Sequence, residues 1–118
     1  MSISHYIQYN RELGSTGHET GQGVSTDSSG NVYVTGYTDG GLDSNSNAGN
    51  DDLFVVKYNS NGTKQWTQQL GTSQVDHAYG IASDSSDIYV TGMSTGSLDG
   101  TSDTGLFVIK YNSSGTIQ

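Results

Sequence analysis

Five oxygen-bearing side chains lie close together in a polar segment near the middle of the chain. Three of them stand at alternate positions, and two follow after a short gap; they are Asp43, Asn45, Asn47, Asp51 and Asp52. Ca²⁺ binds about six to eight oxygen ligands, and loops with alternating Asp and Asn supply them. However, Ala48 stands where such a loop needs glycine, and Phe54 stands where it needs a bidentate glutamate. The segment therefore predicts either a calcium site or a solvated loop folded by its own side-chain hydrogen bonds.

An acid–histidine pair, Asp76 and His77, offers a second kind of chemistry. An aspartate can orient a histidine as a general base, as in a catalytic triad. No nucleophile motif accompanies the pair, and the three histidines of the chain lack the spacing of transition-metal ligands. We therefore expect no catalytic residue, and we expect these side chains to cap a turn or to form hydrogen bonds between structural units.

Three aromatic residues, Tyr37, Trp66 and Tyr79, lie near the predicted ends of strands or on a half-exposed strand. Aromatic faces can stack on sugar rings, but aromatic side chains also bury large areas in packing. With Asp76 and His77 they form the candidate ligand-binding set. Carbohydrate binding and internal packing both stay open for this set.

The charge balance excludes two classes of partner. The 118 residues carry 12 acidic and four basic side chains, a formal net charge of -8. Nucleic acids and anionic membranes are bound by basic surfaces, so we expect neither as a partner. The chain has no cysteine, so it forms no disulfide and no thiolate metal site.

Two long blocks of sequence occur twice, about 55 residues apart. Residues 31–36, NVYVTG, return as DIYVTG at 87–92, and residues 53–63, LFVVKYNSNGT, return as LFVIKYNSSGT at 106–116. A weaker match aligns residues 8–14 with 65–71. A disordered chain would have no reason to keep such apolar blocks in register, so the repeat predicts a folded protein.

Each repeat is predicted to contain four short strands. Apolar–polar alternation indicates a strand at 31–38, and a nearly continuous apolar run indicates a strand at 52–58 that is buried on both faces. The other strands are placed at 22–26 and 63–70, and in the second repeat at 79–83, 87–93 and 105–111. Asn61-Gly62 is a strong hairpin signal between the last two strands of the first repeat. More than half of the residues are Gly, Ser, Thr, Asn or Asp, which disfavours long helices.

A repeated four-stranded antiparallel unit of this length is typical of a β-propeller blade. The alternative is a pair of hairpins in a small sandwich. The blocks GNVYVTGYT, DLFVVKYNSNGTKQW and LDSNSNAGNDD, taken together, resemble the SBBP-type bacterial β-propeller repeat over nearly the whole chain from about residue 8. That resemblance implies a blade fold and a binding or scaffolding role, with no catalytic residue. We expect no cofactor other than the calcium considered above.

The order of the predicted strands predicts how the chain assembles. An outer strand at about 6–13 precedes blade 1 at about 22–70, and blade 2 at about 79–118 lacks its fourth strand. An unpaired sheet edge is a template for association. We therefore expect head-to-tail association of identical chains, in which the first strand of one chain completes the last blade of the next. Two blades per chain allow a ring of six blades as a trimer or eight as a tetramer. The alternative is a piece of a longer propeller.

The predicted function is a non-catalytic, all-β propeller module for self-assembly and for binding a protein or glycan ligand. The alternative is a lectin-like propeller with sites between its blades. The resemblance implies a bacterial protein, often an exported one. The first residues do not carry the pattern of a leader peptide, so the sequence itself does not support export. The compartment therefore stays open.

Overall fold

The computed structural model describes residues 9–118, which form two antiparallel sheets. Sheet 1 contains four strands in sequence order, and sheet 2 contains three. The strands of sheet 1 are β1 (Glu19–Thr26), β2 (Val32–Thr38), β3 (Asp52–Tyr58) and β4 (Lys64–Leu70). Those of sheet 2 are β5 (Asp76–Ser83), β6 (Asp87–Ser94) and β7 (Gly105–Asn112). The described residues contain no helix that is long and apolar enough to cross a membrane.

Matching turns connect the first two strands of each sheet. Asp27 accepts hydrogen bonds from the backbone of Ser29 and Asn31, and Asp84 does the same for Ser86 and Asp87. Such aspartate turns replace the backbone pairing that a tight reversal loses. Burial opposes the ionisation of Asp27, but hydrogen bonds from Asn31, Tyr33 and Ser29 outweigh it and lower its pKa. The turn between β3 and β4 is longer than the predicted two-residue hairpin at Asn61-Gly62. The N–H of Gly62 donates to the carbonyl of Asn59, and Gly62 closes the turn at a φ of 80°.

A β-bulge interrupts the first strand of each sheet at equivalent positions. Pairing shifts between Gly21 and Gly23 in β1, and between Ala78 and Gly80 in β5. The sequence prediction started these strands at 22 and 79, whereas they start at Glu19 and Asp76. The difference arises because a bulge breaks the period-two alternation from which strands are predicted.

The core lies between the two sheets. Sheet 1 contributes one face, called its front face, through Tyr33, Leu53 and Val55. Sheet 2 contributes its back face, which is the side opposite to the one that corresponds to the front face of sheet 1. The fully buried residues on this back face are Ala78, Ile88, Val90 and Tyr111. The front face of one sheet is thus packed on the back face of the next, as expected for consecutive propeller blades.

A smaller apolar cluster covers the back face of sheet 1. Leu42, from the loop between β2 and β3, packs with Phe54 and Val56 of β3, and Leu13 packs on them from outside. Leu42 is fully buried although it comes from a segment that the sequence predicts as a polar loop.

The predicted outer strand at 6–13 falls partly outside the described residues. Residues 9–13 pair with no strand of the described chain. The prediction placed this strand in a neighbouring chain, so a single chain does not test it. In sheet 2, Ile117 forms a single β-bridge with Tyr111, at the place where a fourth strand would begin.

Candidate functional site

A cluster of aromatic and polar side chains lies where sheet 1 meets the first strand of sheet 2. Tyr37, near the end of β2, stacks on His77 of β5 with ring centroids 3.6 Å apart and planes 15° from parallel. Tyr79 stands edge-on to both rings, with its centroid 5.8 Å from that of His77 and 6.4 Å from that of Tyr37. We call Tyr37, Asp51, His77 and Tyr79 the junction cluster.

Hydrogen bonds order the polar groups of the junction cluster in a chain. The Nε2 atom of His77 lies 2.7 Å from Oδ2 of Asp51, and its Nδ1 atom lies 2.9 Å from the hydroxyl of Tyr79. An ionised carboxylate only accepts hydrogen bonds, so in the neutral ring Nε2 donates to Asp51 and Nδ1 accepts from Tyr79. The backbone N–H of Asp76 also donates to the carbonyl of Asp51, at 2.8 Å, and fixes the loop to β5.

The bulge in β5 determines how Tyr79 is presented. Tyr79 is the extra residue between the pairs Ala78–Gly92 and Gly80–Thr91, so it has no partner on β6. Bulges re-aim side chains in this way. The side chain is 47% exposed although its hydroxyl is hydrogen-bonded. Tyr79 is therefore a fixed, half-exposed aromatic surface at the junction.

Asp76 does not belong to the junction cluster. It is fully buried and accepts hydrogen bonds from the backbone N–H of Thr72 at 2.6 Å and from the hydroxyl of Ser94 at 2.5 Å. It thereby holds the connection between the two sheets against the end of β6. The acid that faces His77 is Asp51, 26 residues away in sequence.

Trp66 also lies apart from the junction cluster, on the outer strand of sheet 1. Its ring packs between Tyr33 of sheet 1, at 6.3 Å, and Tyr111 of sheet 2, at 6.4 Å. Its Nε1 atom donates to the carbonyl of Ser113 at 3.0 Å. Burial raises the pKa of Tyr111 to about 12. Trp66 thus joins the outer parts of the two sheets.

The five residues of the predicted calcium site contact different partners. Asp43 binds Lys64 at 2.7 Å and accepts from Thr67; burial opposes its ionisation, but these hydrogen bonds outweigh it and lower its pKa. Asn45 and Asn47 bond to backbone groups of their own loop and its flanks. Asp51 faces His77, and the buried Asp52 accepts from Ala48 and Gln69.

Within residues 9–118, no three His, Asp or Glu side chains form a group that could hold a metal ion. Calcium binding stays a prediction.

The front face of sheet 2 is open, although its residues repeat those of the buried front face of sheet 1. Leu53 and Val55 are completely buried, whereas their equivalents Leu106 and Val108 are 83% and 69% exposed. Exposed apolar side chains that adjoin one another commonly mark interaction sites. This face has no partner among the described residues.

The N-terminal segment lies on the back face of sheet 1 as β4 lies on the back face of sheet 2. A Cβ atom on Gly62 would lie 2.7 Å from the ring of Tyr9, and one on Gly115 would lie 2.8 Å from the ring of Trp66. In the repeat, Tyr9 is equivalent to Trp66, and Gly62 to Gly115. Leu13 packs on the Leu42 cluster just as its equivalent, Leu70, packs on the main core. Residues 9–13 thus lie against sheet 1 in the way that β4, the outer strand of sheet 1, lies against sheet 2.

The comparison with protein families agrees with this arrangement. The model of a β-propeller repeat named SBBP matches residues 8–43 and again residues 65–99, which together make up more than half of the chain. The chain belongs to the SBBP β-propeller repeat family. Each SBBP match starts at the outer strand or its equivalent and runs through the first two strands of the following sheet. The two SBBP matches therefore treat residues 9–13 and β4 as equivalent segments.

Among curated proteins, the chain is similar to "Regulatory protein FlaEY" of Caulobacter vibrioides. The two are 32% identical over 80% of this chain, but the match covers only 11% of that relative. The chain thus spans about a tenth of the length of the relative that it matches.

The sequence prediction recovered part of the junction cluster. Tyr37, His77 and Tyr79 were predicted as ligand-binding residues, and they do lie together. Asp51 is predicted as a calcium ligand, and its place beside His77 has no sequence signal, because the two residues are 26 positions apart and no motif or repeat joins them. The apolar character of the front face of sheet 2 is visible in the sequence, since the apolar block of β3 returns in β7, but its exposure is not.

Proposed function

We propose that the chain is a non-catalytic propeller module that assembles head to tail with identical chains into a closed ring. The front face of sheet 2 in one chain docks on the back face of sheet 1 in the next. Residues 9–13 complete the last sheet of the neighbouring chain. A ring of this kind holds six blades as a trimer or eight as a tetramer.

The observation that carries this proposal is the placement of residues 9–13. Tyr9 lies against Gly62 as Trp66 lies against Gly115, and Leu13 packs on the Leu42 cluster as Leu70 packs on the main core. One chain therefore already presents half of the proposed interface in the arrangement seen at its own internal junction. Little reorganisation is needed on docking, which lowers the entropic cost of association.

The open face of sheet 2 is arranged like its buried counterpart. Lys57 lies 5.7 Å from the ring of Tyr33 and donates to the carbonyl of Ser113 at 2.9 Å. Its equivalent Lys110 lies 5.8 Å from the ring of Tyr89, the equivalent of Tyr33. The repeat equivalent of Ser113 is Ser60. In the proposed ring, Lys110 donates to the carbonyl of Ser60 in the next chain.

The mass of the particle tests the proposal. Light scattering on the 118-residue chain is expected to give three or four times the 12.5 kDa chain mass. A chain that lacks residues 1–13 is expected to stay small, because each sheet 2 then has no outer strand. A folded monomer of the full chain at micromolar concentration would refute the ring.

A second function, carbohydrate binding, is favoured by the junction cluster. Tyr79 offers a half-exposed ring that is held in place by the hydrogen bond between its hydroxyl and His77. Rigid aromatic rings of this kind bind partners at a low cost in conformational entropy. The proposed ligand is a glycan whose apolar sugar face stacks on Tyr79, next to Tyr37.

A glycan array tests this second function. Replacing Tyr79 with alanine is expected to abolish any glycan signal, whereas Tyr79→Phe keeps the ring and is expected to retain most of it. A signal that survives Tyr79→Ala would place glycan binding elsewhere, and an array with no signal for the unaltered chain would remove the function.

A further inference from the structure

An apolar groove runs beside β7, where sheet 2 has no fourth strand among the described residues. It has a volume of about 640 Å³, and Leu70, Leu98, Phe107, Ile109 and Ile117 contribute its apolar lining. From Gly105 to Ile109, β7 pairs only with β6. A free strand edge beside an apolar groove is the arrangement that binds an added strand.

We infer that this edge binds residues 9–13 of a second copy of the chain, antiparallel to β7 and in one defined register. The inference rests on the proposed head-to-tail assembly and specifies its contacts. Sheet 1 supplies the register: β3 pairs with β4 so that Leu53 faces Leu70, Val55 faces Gln68 and Lys57 faces Trp66. In the second repeat, the equivalent pairs are Leu106 with Leu13, Val108 with Arg11 and Lys110 with Tyr9.

The segment presents alternate residues to one side, as this pairing needs. Tyr9, Arg11 and Leu13 all contact sheet 1: Tyr9 lies against Gly62, Arg11 Nε donates to the carbonyl of Gly62 at 2.7 Å, and Leu13 joins the Leu42 cluster. Contacts at every second residue are the pattern of a strand. The backbone of the segment pairs with no strand of the described residues, so a partner strand can add to it.

One pair of differences between the repeats supports the same register. In sheet 1, the amide of Gln69 donates to the carboxylate of Asp52 at 3.0 Å and accepts from the backbone of Leu42 at 3.0 Å. The repeat places Glu12 where Gln69 stands and Gly105 where Asp52 stands. A glutamate beside Asp52 would suffer charge repulsion, whereas beside Gly105 it does not. The carboxylate of Glu12 can then accept from the backbone of Leu98, the equivalent of Leu42.

Aromatic packing fixes the far end of the segment. Trp66 lies between Tyr33 and Tyr111, and the repeat equivalents of these three residues are Tyr9, Tyr89 and Tyr58. Tyr9 of the second copy therefore takes the place of Trp66 and packs on Tyr89 of the acceptor chain. Tyr89, now exposed, becomes covered.

Paired cysteines test the register, because the chain has no cysteine of its own. Directly opposite residues in an antiparallel pair lie within disulfide reach, whereas residues displaced by two positions do not. The variant with Leu13→Cys and Leu106→Cys is expected to form covalent oligomers on oxidation. The variant with Leu13→Cys and Val108→Cys is expected to form about tenfold fewer. Leu13 and Leu106 lie on opposite outer faces of the two packed sheets, so the disulfide must join two chains.

The outcomes separate this inference from the proposed function. Assembly to three or four chains with equal cross-linking of both variants, or with more in the Val108 variant, would overturn the register and leave the ring. Assembly without any cross-linking would overturn strand addition at β7. A monomer would overturn both.

Discussion

Replacing Val108 with aspartate is expected to leave the chain folded and to convert the assembly into monomers. Val108 is 69% exposed on β7, so the charge stays in water as long as the chain is alone. In the ring the same position is buried like Val55, and burying a carboxylate there costs several kcal/mol. Pairing with the facing Arg11 of the neighbouring chain offsets only part of this cost, because Arg11 also donates to the carbonyl of Gly62. The dissociation constant of the interface should therefore rise by about a hundredfold or more, since about 1.4 kcal/mol corresponds to a factor of ten. Light scattering measures the mass, and circular dichroism measures the fold.

Val55→Asp is the matched control. Val55 is the repeat equivalent of Val108, but it is completely buried between the two sheets. The same substitution is therefore expected to lower the free energy of unfolding by about 4 kcal/mol or more, which unfolds a marginally stable domain. If Val108→Asp also unfolded the chain, or if it left the oligomer intact, the front face of sheet 2 would not be the interface.

Replacing Trp66 with alanine is expected to give the largest loss of stability among substitutions of the candidate site residues. The ring fills the space between Tyr33 and Tyr111, and its Nε1–H is bonded to the carbonyl of Ser113. Truncating a packed tryptophan costs about 3 kcal/mol or more in unfolding free energy. Urea unfolding followed by circular dichroism measures this loss. The Val108→Asp background keeps association from contributing to the measured stability.

Trp66→Phe is the milder variant at this position. Phenylalanine keeps an aromatic ring between the two tyrosines but loses the Nε1–H donor and one ring of the indole, so its cost is expected to be about 2 kcal/mol, smaller than that of alanine. Tyr9→Ala removes the equivalent ring from the open interface. It should weaken assembly far more than it destabilises the monomer. Equal stability of Trp66→Ala and the unaltered chain would show that Trp66 does not join the two sheets.

The sequence by itself determined the strands and their grouping. The apolar patterns of the strands and the turn residues between them are local features, and β3, predicted from a nearly continuous apolar run, starts and ends at the predicted residues. The repeat added the grouping into two similar sheets, because equal blocks of sequence fold into equal units. The starts of β1 and β5 were missed, since each lies before a bulge that breaks the alternation.

Only the tertiary structure decided which side chains meet. Asp76 is next to His77 in sequence, yet neighbouring residues of a strand point to opposite faces, so Asp76 is buried and His77 faces Asp51. The same packing decided that Val55 is covered and Val108 is open, although the two blocks of sequence are nearly identical. Burial depends on what the neighbouring sheet supplies, and a repeated sequence carries no information about which of its copies has a neighbour.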